Sequence, residues 1–503
     1  MPSLLRRTFL ASSLVSALAL YAPLSIAAAQ KIGSQYDVLV VGSGFAGLAA
    51  AIAAAERGAK VAVLEKMLVP GGNSARSGGM MAIPGSEEQK RQGISDSPAK
   101  LADDMFRIGQ GLGDPAHIRV VTELAAPTFE WTKTQGVQWR TDLTGKGGHS
   151  AKRCLITVEG TGQGILVPFL KRLKELKVPV FTGVKVVRIL QNHEGRVTGV
   201  EARENYKFGK EESGKLITIS AKDGVILAFG GFSADASYRK LQNPNLKAEF
   251  KTTNQPGATS ELMREASRIG AQIIQADQIQ FLPNTSPDEE GMGMGSHFAS
   301  VGGSLYGLWL NTKTSRRFVD EFGDRKLTTD AIFKVLNSGG KTISITDEQG
   351  VESFKKVRPG AMEILLKNGA VKKYNSLELL AAAYGMDPKV LQETFDQFNH
   401  DIEAKKDSLF NRKFDDGLKP LTQPPFYVSE MSPKVHHTMG GIATDTSTRV
   451  LSVVNDKPIA GLYAAGECTG GIHGASRIGA NAVMDCLVNG KLAGETVVKD
   501  HRQ

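Results

Sequence analysis

The stretch Val38–Lys66, VLVVGSGFAGLAAAIAAAERGAKVAVLEK, constrains the fold of this chain more than any other. An apolar run enters Gly42-x-Gly44-x-x-Gly47, a helix of small residues follows, and a second apolar run ends at Glu65. Strand, tight turn, helix and strand in this order form the layout of a dinucleotide site. Gly42 allows the turn, Gly44 lets backbone approach a pyrophosphate, and Gly47 lets helix and strand pack closely. The free N–H groups at the helix start then face the phosphates, with Ala46 in that first turn. Glu65 lies 23 residues beyond Gly42, close to the roughly 20 expected for the acid that meets a ribose 2′-OH. Lys66 follows it.

The chain has 503 residues, 41% of them hydrophobic, enough for two or three domains with a sizeable core. Residues 1–29 stand apart from that core. Arg6-Arg7-Thr8-Phe9-Leu10 is a basic start, an apolar run follows, and Ala27-Ala28-Ala29 fits a cleavage site. The run is too short for the ~20 residues of a membrane span. It therefore reads as a twin-arginine-type signal peptide, with export to the periplasm and no membrane anchor expected. The formal charge is +9, of which Arg6 and Arg7 account for two. Lys and Arg are spread without a dense basic block, so nucleic acid is not expected as a partner. Cys154, Cys468 and Cys486 form neither CxxC nor CxxCH, and read as buried thiols without metal or covalent haem.

Beyond Lys66, the glycine- and hydroxyl-rich loop Pro70-Gly-Gly-Asn73-Ser74-Ala-Arg-Ser-Gly78-Gly79 can wrap a flat ring system with backbone donors. Residues 96–139 show helical periodicity, broken at Gly111, Gly113 and Pro115. Two later apolar runs, ending at Gly230-Gly231 and at Gly466-Glu467, read as buried strands of the same sheet as the opening stretch. The expected architecture is α/β. A discontinuous, Rossmann-like nucleotide domain (36–277 and 436–503) carries an inserted α+β capping domain (278–435). Amphipathic helices are expected in that insertion around Ser376–Ala383 and Pro388–Lys405.

The elements VVGSGFAGLAAAIAA, GGNSARSGG, VILAFGGF, TNQPGA, RRFVDE, VHHTMGG, GLYAAGECTGG and HGASRIGANA occur in this order over residues 36 to 498. Together they resemble the soluble flavoproteins of the fumarate reductase/succinate dehydrogenase family. The likeness is to the flavocytochrome c branch, which reduces α,β-unsaturated carboxylates in the bacterial periplasm. The resemblance implies FAD. It suggests that Gly42, Gly44, Ala46, Gly47, Glu65, Lys66, Asn73, Ser74, Gly78, Gly79, Gly230, His437, Gly466, Glu467, Asn481 and Ala482 hold it. Membrane-bound relatives attach FAD through a His in the loop that here reads GGNSARSGG; without that His the flavin is expected to be non-covalent. Flavocytochromes carry CxxCH haem motifs in the same chain. This sequence has none, so a separate c-type cytochrome is the expected electron donor.

Reduction of an activated C=C bond needs a hydride at the β-carbon and a proton at the α-carbon, with the carboxylate held and polarised. The resemblance places Arg477 and His436 at the carboxylate and Arg325 as the proton donor, with Arg317 structural. By charge alone, Arg316–Lys326 reads instead as a solvated loop. The resemblance also implies that Gln280 and Leu282 fall in the substrate pocket. The family's fumarate reductases have a His where this chain has Leu282, before Pro283, and that His binds the second carboxylate. An apolar side chain cannot compensate a buried carboxylate, which costs several kcal/mol to desolvate unpaired. The expected substrate is therefore a monocarboxylate, methacrylate-, cinnamate- or urocanate-like. Fumarate is the alternative, and a flavin electron carrier without its own substrate is an alternative of another class.

Overall fold

The computed structural model describes residues 31–502 apart from 146, 247–248 and 415–416. The expected signal segment at 1–29 lies outside the described residues. None of the described helices is long and apolar enough to cross a membrane.

From Gln35 onward, the chain is organised on an eight-stranded sheet. Its central path runs Arg449–Leu451, Pro458–Ala464, Lys215–Leu227, Gln35–Val41, Val61–Glu65, Val180–Thr182. The four pairings from Pro458–Ala464 to Val180–Thr182 are parallel. The inner strands are buried on both faces, which is why they read as continuous Val/Ile/Leu runs and not as an alternation. Strands from both ends of the chain thus meet in one sheet.

The helix Phe45–Glu56 covers one face and is itself covered by the C-terminal helix Asn481–Arg502. The two approach closely because small residues line both sides. A Cβ on Gly490 would strike the carbonyl of Ala46, and one on Gly494 that of Ala50. Gly42 is needed twice over: its φ is +106°, and a Cβ there would collide with the Ala228 carbonyl of the next strand.

A second sheet of five antiparallel strands is drawn entirely from residues 307–431, in the order Arg316–Arg317, Gly307–Asn311, Thr342–Thr346, Phe426–Met431, Lys372–Tyr374. The helices Leu377–Tyr384, capped by Ser376, and Pro388–Glu403 pack beside it, where the amphipathic patterns place them. Between the two sheets in sequence lies an antiparallel pair, Ile279–Leu282 with Lys434–Thr438. The latter strand runs across 435/436, where the sequence divides cap from returning segment.

The run Arg316–Lys326 is not a solvated loop. Arg317 and Glu321 are both buried; Arg317 pairs with Glu321 at 2.8 Å and with Asp407 at 2.9 Å, and Arg412 pairs with Glu321 at 3.0 Å. Asp407 and Arg412 arrive from far along the chain, so no local reading of charge could reveal this four-membered cluster. Breaking one partner of such a buried network typically costs 3–5 kcal/mol, and the network secures the segment just before Arg325.

Gly494→Val should destabilise the chain by about 3 kcal/mol or more, because the added carbons meet backbone that cannot move aside. Denaturant unfolding checks this; a change below about 1 kcal/mol would contradict the packing described.

Candidate active site

A cleft of about 890 Å³, part of it open to solvent, runs along the carboxyl ends of the parallel strands. This is the usual ligand position in such sheets. Of the sequence candidates, Gly42, Gly44, Ala46, Glu65, Lys66, Asn73, Ser74, Gly230 and Glu467 line it. Gly47, Gly78, Gly79, His437, Gly466, Asn481 and Ala482 do not. Gly47 is pressed against the Gly42 carbonyl, which is the close packing expected of it. Ser74 Oγ accepts from Phe45 N–H at 2.9 Å, fixing the glycine-rich loop over the helix start. Glu65 is held at the cleft by Ser43, whose N–H and Oγ donate to it at 3.1 and 2.6 Å, and by Met67 N–H at 2.8 Å. Lys66 has its pKa lowered by burial, with Glu261 opposing and Lys185 adding to the shift. Lys185 and Glu261 also line the cleft. Nothing in their local sequence marked them.

Asn73 joins this cleft to a second group of residues. Its amide nitrogen donates to Asn254, and its amide oxygen accepts from Gln255 N–H at 2.9 Å. Asn254 in turn donates to the His436 carbonyl at 2.9 Å. The TNQPGA segment therefore ties the glycine-rich loop to the strand Lys434–Thr438.

On that strand the register shifts: Gln280 lies opposite His437 and Phe281 opposite Val435, leaving His436 without an opposite residue. This is a β-bulge, and it re-aims a side chain. His436 Nδ1 lies 2.7 Å from Thr253 Oγ1. Burial, then Arg325 and Arg477, hold its pKa well below the ordinary histidine value, so the ring is neutral. His437 is likewise kept neutral, by burial first and Arg477 next.

Arg325 begins the helix Arg325–Asn337, capped by Asp324, which accepts from Lys326 N–H at 2.8 Å and Leu327 N–H at 3.1 Å. That helix docks on the strand Ile279–Leu282 through three rings, Phe250, Phe281 and Phe333, whose centroids are 5.1 to 5.3 Å apart. Gln280 bridges the two arginine segments: its Oε1 accepts from Arg325 Nη1 at 3.3 Å, and its Nε2 donates to the Arg477 carbonyl at 3.0 Å. Burial and the charge of Arg477 push the pKa of Arg325 well below the usual guanidinium value. A cation at a helix N-terminus opposes the dipole as well. Arg477, 5% exposed, is pushed down to about 10 by burial. Among the described residues, no carboxylate is ion-paired with either arginine.

Leu282 is buried two residues beyond Gln280, and the period-two alternation of a strand puts it on the same face. Cys154 and Cys468 are buried thiols as expected; Cys486 is partly buried and lines the cleft.

Several buried polar atoms lack protein partners: both atoms of the Asn481 amide, Arg477 Nε and Thr438 Oγ1. Each such atom costs about 1–3 kcal/mol unless a ligand or water meets it. A cleft walled by a helix start and a glycine-rich loop, with the unpartnered Thr438 hydroxyl on the residue that donates to Glu467 of its wall, fits a dinucleotide that carries a polar ring system.

Comparison with known proteins agrees. The model of the FAD binding domain family matches residues 37–483. The acrylate reductase flavoprotein subunit of Shewanella woodyi is 36% identical over 93% of this chain and 92% of its own length. The urocanate reductase of Eggerthella lenta is 33% identical over 93% of this chain and 75% of its own. The solved open conformation of a flavocytochrome c3 fumarate reductase superposes with a TM-score of 0.74 at 30% identity, covering 94% of this chain and 79% of that one. The chain belongs to the FAD-binding flavoproteins of the fumarate reductase family. It is an FAD-dependent oxidoreductase.

Glu467 provides a pH test. Burial raises its pKa from 4.5 to about 7, with the Thr438 N–H and Arg477 opposing. The folded carboxyl stays protonated where the unfolded one ionises, so the stability tied to it is full below pH 4.5 and is lost as pH rises through about 7. Glu467→Gln removes that loss. The stability difference, variant minus parent, should grow from pH 5 to 7.5 and then level off; a flat difference would contradict the raised pKa.

Proposed function

We propose that this chain reduces the C=C bond of a small α,β-unsaturated monocarboxylate, in the periplasm, with non-covalent FAD and electrons from a separate c-type cytochrome. The observation that carries the reading is the buried pair Arg325 and Arg477, with neither of which a carboxylate is ion-paired among the described residues. Two desolvated guanidiniums require an anion, and a carboxylate matches their fork geometry.

When bound, FAD supplies the hydride that adds to the β-carbon. Arg477 holds the substrate carboxylate, where negative charge accumulates as the bond is reduced. His436 Nδ1 lies 2.7 Å from Thr253 Oγ1, and in the tautomer where that hydroxyl donates to Nδ1 the neutral ring carries its proton on Nε2 and donates it to the same carboxylate. Arg325 gives its proton to the α-carbon. An ordinary arginine is a poor acid, with a pKa above 12. The burial and the neighbouring Arg477 that depress this one make it a better donor. Gln280 fixes the spacing of the two arginine segments.

Leu282 supports a single carboxylate, since the face that carries Gln280 ends on an apolar group. The relative named for acrylate, itself a monocarboxylate, favours the same reading. That relative is named a flavoprotein subunit, which fits a chain that receives electrons from another protein. The absence of His from the loop Gly71–Gly79 supports non-covalent flavin, and the arginine-led first 29 residues support export.

Turnover with reduced methyl viologen and a panel of unsaturated acids should be fastest with a monocarboxylate; fumarate as the fastest oxidant would overturn this specificity. Arg325→Ala should lower kcat by about 10³-fold, the usual worth of a general acid, with bound FAD unchanged. Retention of turnover would remove Arg325 from proton delivery. Leu282→His should raise activity on fumarate relative to monocarboxylates by about tenfold, the effect of one added charge-assisted hydrogen bond.

A further inference from the structure

Gly160 lies in the turn between the strand Cys154–Ile156 and the helix Gln163–Glu175, and two guanidiniums converge on it. A Cβ built there would stand 3.1 Å from Nη1 of Arg358 and 3.3 Å from Nη2 of Arg140. The two arginines come from distant segments. Arg140 follows the helix Ala125–Thr134, and Arg358 closes the helix Glu348–Val357. Each is fixed by backbone: Arg140 Nη2 donates to the Val158 carbonyl and Arg358 Nη1 to the Gly160 carbonyl, both at 3.0 Å. No carboxylate is ion-paired with either among the described residues. Burial, then the charge of Arg140, lowers the pKa of Arg358. The one acid in this turn, Glu159, has its carboxylate turned against Gly164 at the start of the following helix.

This pair is centred on an open surface. Val158 and Val357, beside the two arginines, are 49% and 40% exposed. Lys356 is exposed on the same helix end, and Arg76 is exposed on the glycine-rich loop. That loop is directly bonded to the turn: Thr157 N–H donates to the Gly79 carbonyl at 3.0 Å, and Gly162 N–H to the Ser77 carbonyl at 2.8 Å. Ser74 of the same loop lines the cofactor cleft. The patch is therefore one loop away from the cofactor, on the outside of the molecule, and distinct from the substrate arginines.

We propose that this patch is the docking surface for the electron donor, an acidic redox protein with carboxylates around its electron-transfer edge. The proposal rests on the reading above that a separate protein reduces this chain. Two neighbouring guanidiniums without an acid repel one another, and a partner carboxylate relieves that repulsion through a forked pair. A cationic pair with exposed valines next to it in the chain suits a transient encounter: the charges steer approach and a small contact area allows release. Two one-electron docking events supply the two electrons of a turnover. The electrons leave on the substrate together with two protons taken ultimately from solvent.

The test compares two donors to the holoenzyme: reduced methyl viologen, and a reduced c-type cytochrome of acidic surface. In Arg140→Gln/Arg358→Gln and separately in Val158→Asp, KM for the cytochrome should rise about tenfold at low ionic strength, as steering and pairing are lost. The salt dependence of cytochrome-driven turnover should flatten in the arginine variant, while viologen-driven turnover and bound FAD stay as in the parent. If the arginine variant loses FAD, the exposed Val158→Asp decides alone. Unchanged cytochrome kinetics in a variant that retains FAD would overturn the docking surface and leave the separate-donor reading standing. A parent enzyme reduced by viologen but not by the acidic cytochrome would overturn both.

Discussion

Two guanidiniums, Arg325 and Arg477, lie buried within electrostatic reach of one another with no carboxylate ion-paired to either among the described residues, and the surrounding structure holds them there. Left to themselves, such groups would seek water or an acid. Here they are prevented. The Asp324 cap starts the helix of Arg325 at one place, and the Phe250, Phe281 and Phe333 rings lock that helix to the strand Ile279–Leu282. Gln280 then bridges the two segments with a neutral amide that can accept from one arginine and donate to the backbone of the other. The buried cluster of Arg317, Glu321, Asp407 and Arg412 holds the preceding segment with its own charges balanced.

The same electrostatic field sets the protonation of the groups around it. His436 and His437 are neutral because protonating either would add a third cation to a desolvated place. Glu467, 3.4 Å from His437, keeps its proton to about pH 7 because burial outweighs the Arg477 charge. The site thus gathers cationic donors and a neutral imidazole, tied through Asn254 and Asn73 to the cleft that fits a dinucleotide. Electrostatic preorganisation of this kind is effective because the dipoles and charges are already in place before the substrate arrives.

What the sequence made legible was whatever short-range steric need or recurrent motif could announce. The strand–turn–helix at Val38–Lys66 follows from Gly42, whose left-handed backbone and tight contact admit no side chain. The amphipathic helices near 376 and 388 follow from periodicity and their Ser and Asp caps. Arg325, Arg477, His436 and Gln280 were nominated by resemblance, and the structure brings them into one site. The bulge at His436 was not legible, because a register shift depends on the partner strand and not on the strand itself. The charge run Arg316–Lys326 misled for the same reason, since its compensating groups lie near residue 410. Helix packing through Gly490 and Gly494 and the convergence of Arg140 with Arg358 are likewise products of tertiary structure, with no local signal to announce them.

The proposed preference is for one carboxylate, held by the buried arginine pair, with the apolar Leu282 on the strand face that carries Gln280. It is tested most directly by the dissociation constants of two saturated acids, propionate and succinate, read from the absorbance of the bound flavin at neutral pH. Propionate should bind at least as tightly as succinate. Succinate binding more tightly by tenfold, about 1.4 kcal/mol, would require a partner for a second carboxylate and would contradict it.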